Sequence, residues 1–77
     1  MTERRLNQLA VGDRAVIRRL DCDASLKQRL LDLGLTRGSR LAVVRFAPLG
    51  DPVEIKVRGY SLSLRGAEAA GVVVEAE

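Results

Sequence analysis

The sequence of 77 residues contains no histidine, so the side chain that most often serves as a general base or a metal ligand is absent. It also lacks a Gly-x-Ser-x-Gly nucleophile elbow, a phosphate-binding glycine-rich loop that ends in Lys-Ser or Lys-Thr, and a dinucleotide-binding fingerprint. A chain this short has little room to enclose scattered carboxylates in a cleft. We therefore expect a domain that is not an enzyme, with no catalytic residues and no cofactor.

The cluster Asp21-Cys22-Asp23 contains side chains that could bind a metal ion. In an extended segment, however, neighbouring side chains point to opposite sides, so three consecutive residues rarely converge on one ion. Transition-metal sites also normally include further Cys or His ligands. We favour an acidic segment that precedes a helix, where negative charge suits the helix dipole, and we predict no metal ligands. A metal-sensing domain that holds ferrous iron near Cys22 is the alternative.

Basic residues exceed acidic ones by 13 to 10, which gives a net charge of +3. Small barrels that bind nucleic acid combine basic grooves with stacking aromatic side chains, and the aromatic residues here are Phe46 and Tyr60. Acidic residues lie among the bases along most of the chain, so we expect a mixed solvated surface and no nucleic-acid partner. A basic nucleic-acid-binding barrel is an alternative. The bases that could form its binding face are Arg18, Arg19, Arg37, Arg40, Arg45, Lys56, Arg58 and Arg65.

The cysteine content and the N-terminal segment bear on localisation. Cys22 has no second cysteine with which to form an internal disulfide, whereas small secreted domains usually carry several. The segment Met1 to Asn7 is charged and lacks the apolar core of a signal peptide. No apolar run approaches the roughly 20 residues that span a bilayer. We expect one cytoplasmic domain over residues 1–77, with no linker or internal repeat.

One helix is predicted from Asp21 to Leu35. Ser25 can serve as its N-cap, and Gln28 three residues later would complete a capping box. The acidic residues at the start of this segment would lie near the positive end of the helix dipole.

The leucines of this segment recur at the spacing of one helical face. Leu26, Leu30 and Leu33 form this apolar stripe. Gly34 suits the left-handed position that ends a helix. In the Schellman arrangement that follows from this placement, the side chain of Leu35 contacts that of Leu30.

Five segments are rich in strand-forming residues, and several of them alternate between apolar and polar residues. Five strands and one helix predict a mainly β fold, a small five-stranded barrel whose closure protects the strand edges. An open α+β sheet is the competing architecture. The predicted strands are Arg14–Leu20, Arg40–Phe46, Val53–Arg58, Tyr60–Leu64 and Val72–Val74.

A thin core cannot bury every apolar residue, and an exposed apolar patch tends to mark an interaction site. Leu49 projects from the loop Pro48 to Pro52, whose two prolines restrict the free loop, so that docking it loses less entropy. The leucine stripe has a second interpretation, in which it only covers the end of the barrel. The residues predicted to bind a protein partner are Leu26, Leu30, Leu33, Leu35, Leu49 and Tyr60.

Two blocks of the sequence resemble the ferrous iron transport protein A family, FeoA. The first is Leu26 to Leu41, LKQRLLDLGLTRGSRL, because in that family a leucine-rich helix ends in Leu-Gly-Leu or Leu-Gly-Met before a glycine-containing turn. The second, Ala47 to Arg65, reads APLGDPVEIKVRGYSLSLR and matches more closely. With Leu6, Leu9 and Gly12 near the start and Ala67 to Val74 at the end, the resemblance covers nearly the whole chain.

The resemblance implies an SH3-like barrel with a helix inserted after the first strand. It also implies a cytosolic accessory role in ferrous iron uptake, in which the domain binds and regulates the cytosolic GTPase region of the membrane transporter FeoB. The same barrel forms the C-terminal domain of iron-dependent repressors of the diphtheria-toxin-repressor type, where it follows a DNA-binding domain. The sequence shows no helix-turn-helix before the barrel, which favours the free-standing form. A fragment of such a repressor stays an alternative.

Overall fold

The computed structural model describes residues 3–77. Met1 and Thr2, which begin the charged N-terminal segment and the predicted single domain, lie outside the described residues. In chain order the elements are β1 (Glu3–Arg5), a 3-10 helix (Leu6–Gln8), β2 (Arg14–Leu20), α1 (Ala24–Asp32), β3 (Arg40–Phe46), β4 (Val53–Val57), β5 (Tyr60–Leu64), α2 (Gly66–Ala69) and β6 (Val72–Ala76).

The strands form one antiparallel sheet in the order β1-β6-β2-β3-β4-β5. This confirms a mainly β fold with one principal helix, but the sheet has six strands rather than the five predicted. The additional strand, β1, is three residues long, too short for a recognisable alternation, and it pairs with β6. Within the described residues no ladder joins the edge strands β1 and β5, so barrel closure is not confirmed.

The core lies against one face of the sheet, as the alternation in β4 shows. Val53, Ile55 and Val57 are buried, whereas Glu54 is half-buried and Lys56 is exposed. Burial of each aliphatic side chain of this size is worth about 1.5–3 kcal/mol relative to leaving it in water. The opposite face of β4 therefore stays available for polar and charged side chains.

The helix α1 begins at Ala24, within the predicted range Asp21 to Leu35, and Asp23, not Ser25, is its N-cap. The Asp23 Oδ1 atom accepts a hydrogen bond from the Leu26 backbone N–H at 2.8 Å. Aspartate and serine are comparable caps, and the carboxylate also interacts favourably with the helix dipole. The predicted capping box is wrong, since the Gln28 side chain instead donates a hydrogen bond to Asp32 at 2.9 Å.

The predicted Schellman motif at Gly34 is confirmed, although α1 ends at Asp32 rather than at the predicted Leu35. Gly34 has a φ of +93°, the left-handed conformation that glycine adopts without steric cost. The Leu35 N–H donates to the Leu30 carbonyl at 3.1 Å, and the Gly34 N–H donates to the Leu31 carbonyl at 2.9 Å. Leu30 and Leu35 are both 0% exposed and belong to the same core cluster.

Arg5 links three parts of the chain that are distant in sequence. Its guanidinium pairs with the Asp21 carboxylate at 2.8 Å and also donates to the Ala70 carbonyl at 3.3 Å. The hydrogen bond and the charge of Arg5 lower the pKa of Asp21 below its usual 3.8. Strand β1 is thereby joined to the turn that precedes α1 and to the end of α2.

Replacement of Arg5 should therefore raise the pKa of Asp21. In Arg5→Gln we expect a return toward 3.8, with a smaller lowering left by the charge of Arg19. Because the folded-state pKa is depressed, the pair stabilises the fold above pH 3.8, and this contribution is lost as the pH falls through the folded-state pKa. A carbon-13 NMR titration of the Asp21 carboxyl measures the shift. Arg4→Gln is the matched control, and an equal shift there would contradict the specific role of Arg5.

Truncation of Leu30 should be costly because the side chain is fully buried. We expect Leu30→Ala to lower the free energy of unfolding by about 2–5 kcal/mol. Urea denaturation followed by circular dichroism measures the loss. Leu31→Ala is the control on the exposed side of α1 and should cost much less. Equal losses in the two variants would contradict the assignment of Leu30 to the core.

Candidate docking surface

The cluster Asp21-Cys22-Asp23 does not form a metal site. Asp21 pairs with Arg5, Cys22 is half-buried against the core, and Asp23 caps α1. Throughout residues 3–77, no group of three or more His, Cys, Asp or Glu side chains is placed to hold a metal ion. Each member of the cluster instead has a separate role in the fold.

The residues predicted to bind a partner do not form one continuous stripe. Leu30 and Leu35 lie in the core, so the structure removes both from the surface open to a partner. The Schellman motif explains the burial of Leu35, because it turns the chain back at the C-terminal end of α1 and places Leu35 beside Leu30. Leu26 is half-buried against the same core. Three predicted residues remain at the surface, and their exposed fractions are 36% for Leu33, 42% for Tyr60 and 97% for Leu49.

Leu33 and Tyr60 form a small apolar surface at the C-terminal end of α1, called here the cap patch. The Tyr60 hydroxyl donates a hydrogen bond to the Leu33 carbonyl, one of the carbonyls that a helix end leaves without an intrahelical partner. The hydroxyl also lies close to Gly34, where an added Cβ would be 2.5 Å from its oxygen. The tyrosine is thus held by its polar tip while its ring stays partly exposed.

The tight turn before Tyr60 positions this side chain. Arg58 and Gly59 both have positive φ values, +53° and +82°, as expected in the commonest two-residue hairpin turn. The Arg58 guanidinium donates to the Thr36 hydroxyl at 2.8 Å and to the Ser39 hydroxyl at 3.0 and 3.2 Å. These bonds tie the hairpin tip to the loop after α1. This network could not be predicted from the sequence, because arginine rarely adopts a positive φ and the bonded residues are far apart in the chain.

Leu49 projects from a turn that is held at both ends. The Gly50 N–H donates to the Ala47 carbonyl at 2.7 Å, and Gly50 has a φ of +87°. The Asp51 carboxylate accepts a hydrogen bond from the Gly66 N–H at 2.6 Å, which joins the loop to α2. The exposed leucine therefore stands on a fixed turn, in agreement with the prediction that it projects from the proline-bounded loop.

The cap patch and Leu49 lie at opposite ends of the hairpin that β4 and β5 form. In the strand register, Val53 pairs with Leu64 next to the Leu49 loop, and Val57 pairs with Tyr60 next to the hairpin turn. Four residue steps along a strand correspond to roughly 13 Å. The structure therefore offers two separate apolar contact points rather than the single patch that a leucine stripe would make.

Fold and surface together define a small antiparallel-sheet domain in which exposed apolar side chains stand on turns fixed by hydrogen bonds. The FeoA domain family model matches residues 4–76, nearly the whole length of the chain. The chain therefore belongs to the FeoA family, a family of small, non-catalytic accessory domains with an SH3-like fold in ferrous iron transport.

One curated relative and two solved structures illustrate the match. The chain is 41% identical over 71 residues to the Fe(2+) transport protein A/Fe(2+) transporter FeoB fusion protein of Porphyromonas gingivalis. The solution structure of FeoA from Chlorobium tepidum is 44% identical, superposes with a TM-score of 0.87, and is matched over 95% of this chain and 70% of its own. The zinc complex of Stenotrophomonas maltophilia FeoA, described as an SH3 domain protein, is 31% identical with a TM-score of 0.79 over 91% of this chain and 87% of its own.

Two of these similarities are limited, one by the share of the relative that is matched and the other by low sequence identity. The match covers 92% of this chain but only 8% of the length of the fusion protein, most of which has no counterpart here. A manganese-dependent transcriptional repressor superposes with a TM-score of 0.92 over 100% of this chain and 38% of its own, but at 19% identity this shows a shared fold alone. None of the helices in the described part of the chain has the length and apolar character that crossing a bilayer requires.

The contact between Gly34 and Tyr60 yields a prediction for a double-mutant cycle. Gly34→Ala should lower the free energy of unfolding by about 1–2 kcal/mol for the left-handed backbone alone, and further because the new Cβ meets the Tyr60 hydroxyl. Removal of that hydroxyl in Tyr60→Phe should make the same glycine substitution less costly. Urea denaturation of the two single variants and the double variant measures the coupling. Strictly additive losses would show that the hydroxyl does not restrict this position.

Proposed function

We propose that this domain is a cytoplasmic accessory protein of ferrous iron uptake that binds and regulates the cytosolic GTPase region of a FeoB transporter. The fusion relative carries the proposal, because its name joins a transport protein A and a FeoB transporter in one polypeptide. Fusion holds two modules at high effective concentration, which favours a contact between them. Residues 1–77 would act as one FeoA-like domain without a catalytic group or cofactor of its own.

The exposed apolar residues support a docking role. Full burial of one leucine side chain is worth about 1.5–3 kcal/mol. Leu49 is 97% exposed, so nearly all of that gain is available to a partner. Its turn is already fixed by the hydrogen bonds of Gly50 and Asp51, so docking orders little additional chain. The cap patch offers a second contact, held by the Tyr60 hydroxyl.

A substitution at Leu49 separates docking from folding. We expect Leu49→Ser to weaken binding to the purified cytosolic GTPase region of FeoB about tenfold or more, because each 1.4 kcal/mol corresponds to a factor of ten in affinity. Its unfolding midpoint in urea should stay close to that of the wild type, since the side chain contributes little to the core. Isothermal titration calorimetry measures the affinity.

Val11→Ser is the matched control, because Val11 is also an exposed apolar residue but lies in the turn before β2. It should retain wild-type affinity. Retained affinity in both Leu49→Ser and Leu33→Ser would contradict docking through these two contacts. An absence of binding by the wild-type protein would contradict the proposed function itself.

A further inference from the structure

A shallow basic groove of 290 Å³ crosses the outer face of the sheet. Three strands meet there in register, with Arg14 of β2 opposite Ala42 of β3 and Ala42 opposite Lys56 of β4. Because neighbouring strands lie about 4.8 Å apart, the two bases flank the small alanine side chain at a separation of roughly 10 Å. Arg40 and Arg58 extend the basic lining beyond Ala42.

The charge of this groove is largely uncompensated. Within residues 3–77, Arg14 and Lys56 make no ion pair. Arg58 donates to two hydroxyl groups, which leave its positive charge in place. Arg40 is 82% exposed and faces one acidic side chain, that of Glu77, at 3.4 Å.

Elsewhere in residues 3–77 most arginines are neutralised closely, although Arg4, Lys27 and Arg37 make no ion pair either. Each of five other arginines lies within 3.2 Å of a carboxylate oxygen, whereas the groove places four bases beside one carboxylate. These five are Arg5, Arg18, Arg19, Arg29 and Arg45.

We infer that this groove binds an extended acidic segment of a protein partner. Guanidinium and ammonium groups form charge-assisted hydrogen bonds with carboxylates, and the Glu77 carboxylate already lies against Arg40 at the rim. In an extended peptide, alternate side chains on one face are roughly 7 Å apart, which allows two or three carboxylates to meet the bases around Ala42. Under the proposed function the segment belongs to the transporter, and the inference rests on that function only for the identity of the partner.

An acidic protein segment fits the groove better than a nucleic acid does. Single-stranded nucleic acids are held by aromatic side chains on which the bases stack. Neither aromatic residue lines this groove, since the Tyr60 hydroxyl is bonded at the end of α1 and Phe46 packs against the core. The floor at Ala42 instead leaves room for the backbone of an extended chain.

The probe for the test is a synthetic peptide with glutamate at alternate positions, with its glutamine counterpart as the neutral reference. Titration of the nitrogen-15-labelled domain, followed by amide NMR shifts, should show the largest changes at Arg40, Ala42 and Lys56. The double variant Arg14→Gln/Lys56→Gln should weaken binding at least tenfold. Glu77→Gln should strengthen binding two- to threefold, because it removes the carboxylate that competes for Arg40.

Lys27→Gln/Arg37→Gln is the matched control. It also removes one lysine and one arginine charge, but from a second groove that Arg18 and Arg19 line as well. It should change the affinity less than twofold, and urea midpoints verify that both double variants fold. Equal weakening in the two double variants would indicate attraction to net charge alone and would overturn the inference. So would shifts that map elsewhere, an absence of binding, or tighter binding of single-stranded DNA in the same groove. The assay contains no transporter, so its failure would leave the proposed function standing.

Discussion

The hydrogen bond from the Leu35 N–H to the Leu30 carbonyl fixes the end of α1 and the course of the chain that follows it. It exists because Gly34 can adopt a positive φ, and it reverses the chain at the end of α1. The reversal buries Leu35 beside Leu30 and leads the chain into β3, the strand that joins β2 to the β4–β5 hairpin. It also leaves the Leu33 carbonyl outside the helix, where Tyr60 of β5 bonds to it. One turn therefore joins the helix to the core and to the edge of the sheet.

The two faces of the single sheet differ in composition: one is aliphatic and the other carries charged side chains. The inner face carries the aliphatic core, to which β4 contributes Val53, Ile55 and Val57. The outer face around Ala42 is open to water, so it can hold like charges at a modest energetic cost. The two proposed apolar contacts lie at the ends of the hairpin, on turns that hydrogen bonds of Arg58 and Asp51 keep in place. Leu49 and the cap patch are thereby separated from the basic groove within one domain.

Local patterns predicted most of the fold, and non-local pairing accounts for what they missed. The alternation of β4 and the glycine at the end of α1 are set by neighbouring residues, so both could be read from the sequence. The choice of Asp23 over Ser25 as the N-cap could not, because both residues are competent caps within one turn. Strand β1 was missed because three residues gain their structure from pairing with β6, which lies at the far end of the chain.

The difference between local patterns and non-local pairing also explains which parts of the candidate site could be predicted. Leu49 could be placed at the surface from its proline-bounded loop alone, whereas the helical spacing of Leu30 and Leu33 does not say which of them faces the core. The basic groove depends on the register of three strands, which brings Arg14 and Lys56 to either side of Ala42 although 42 positions separate them in sequence. Solved structures with the same fold include a manganese-dependent repressor, so the fold alone does not specify a partner. What distinguishes one member from another must lie in such surface groups, since they can change while the hydrogen bonds and aliphatic core that hold the sheet remain the same.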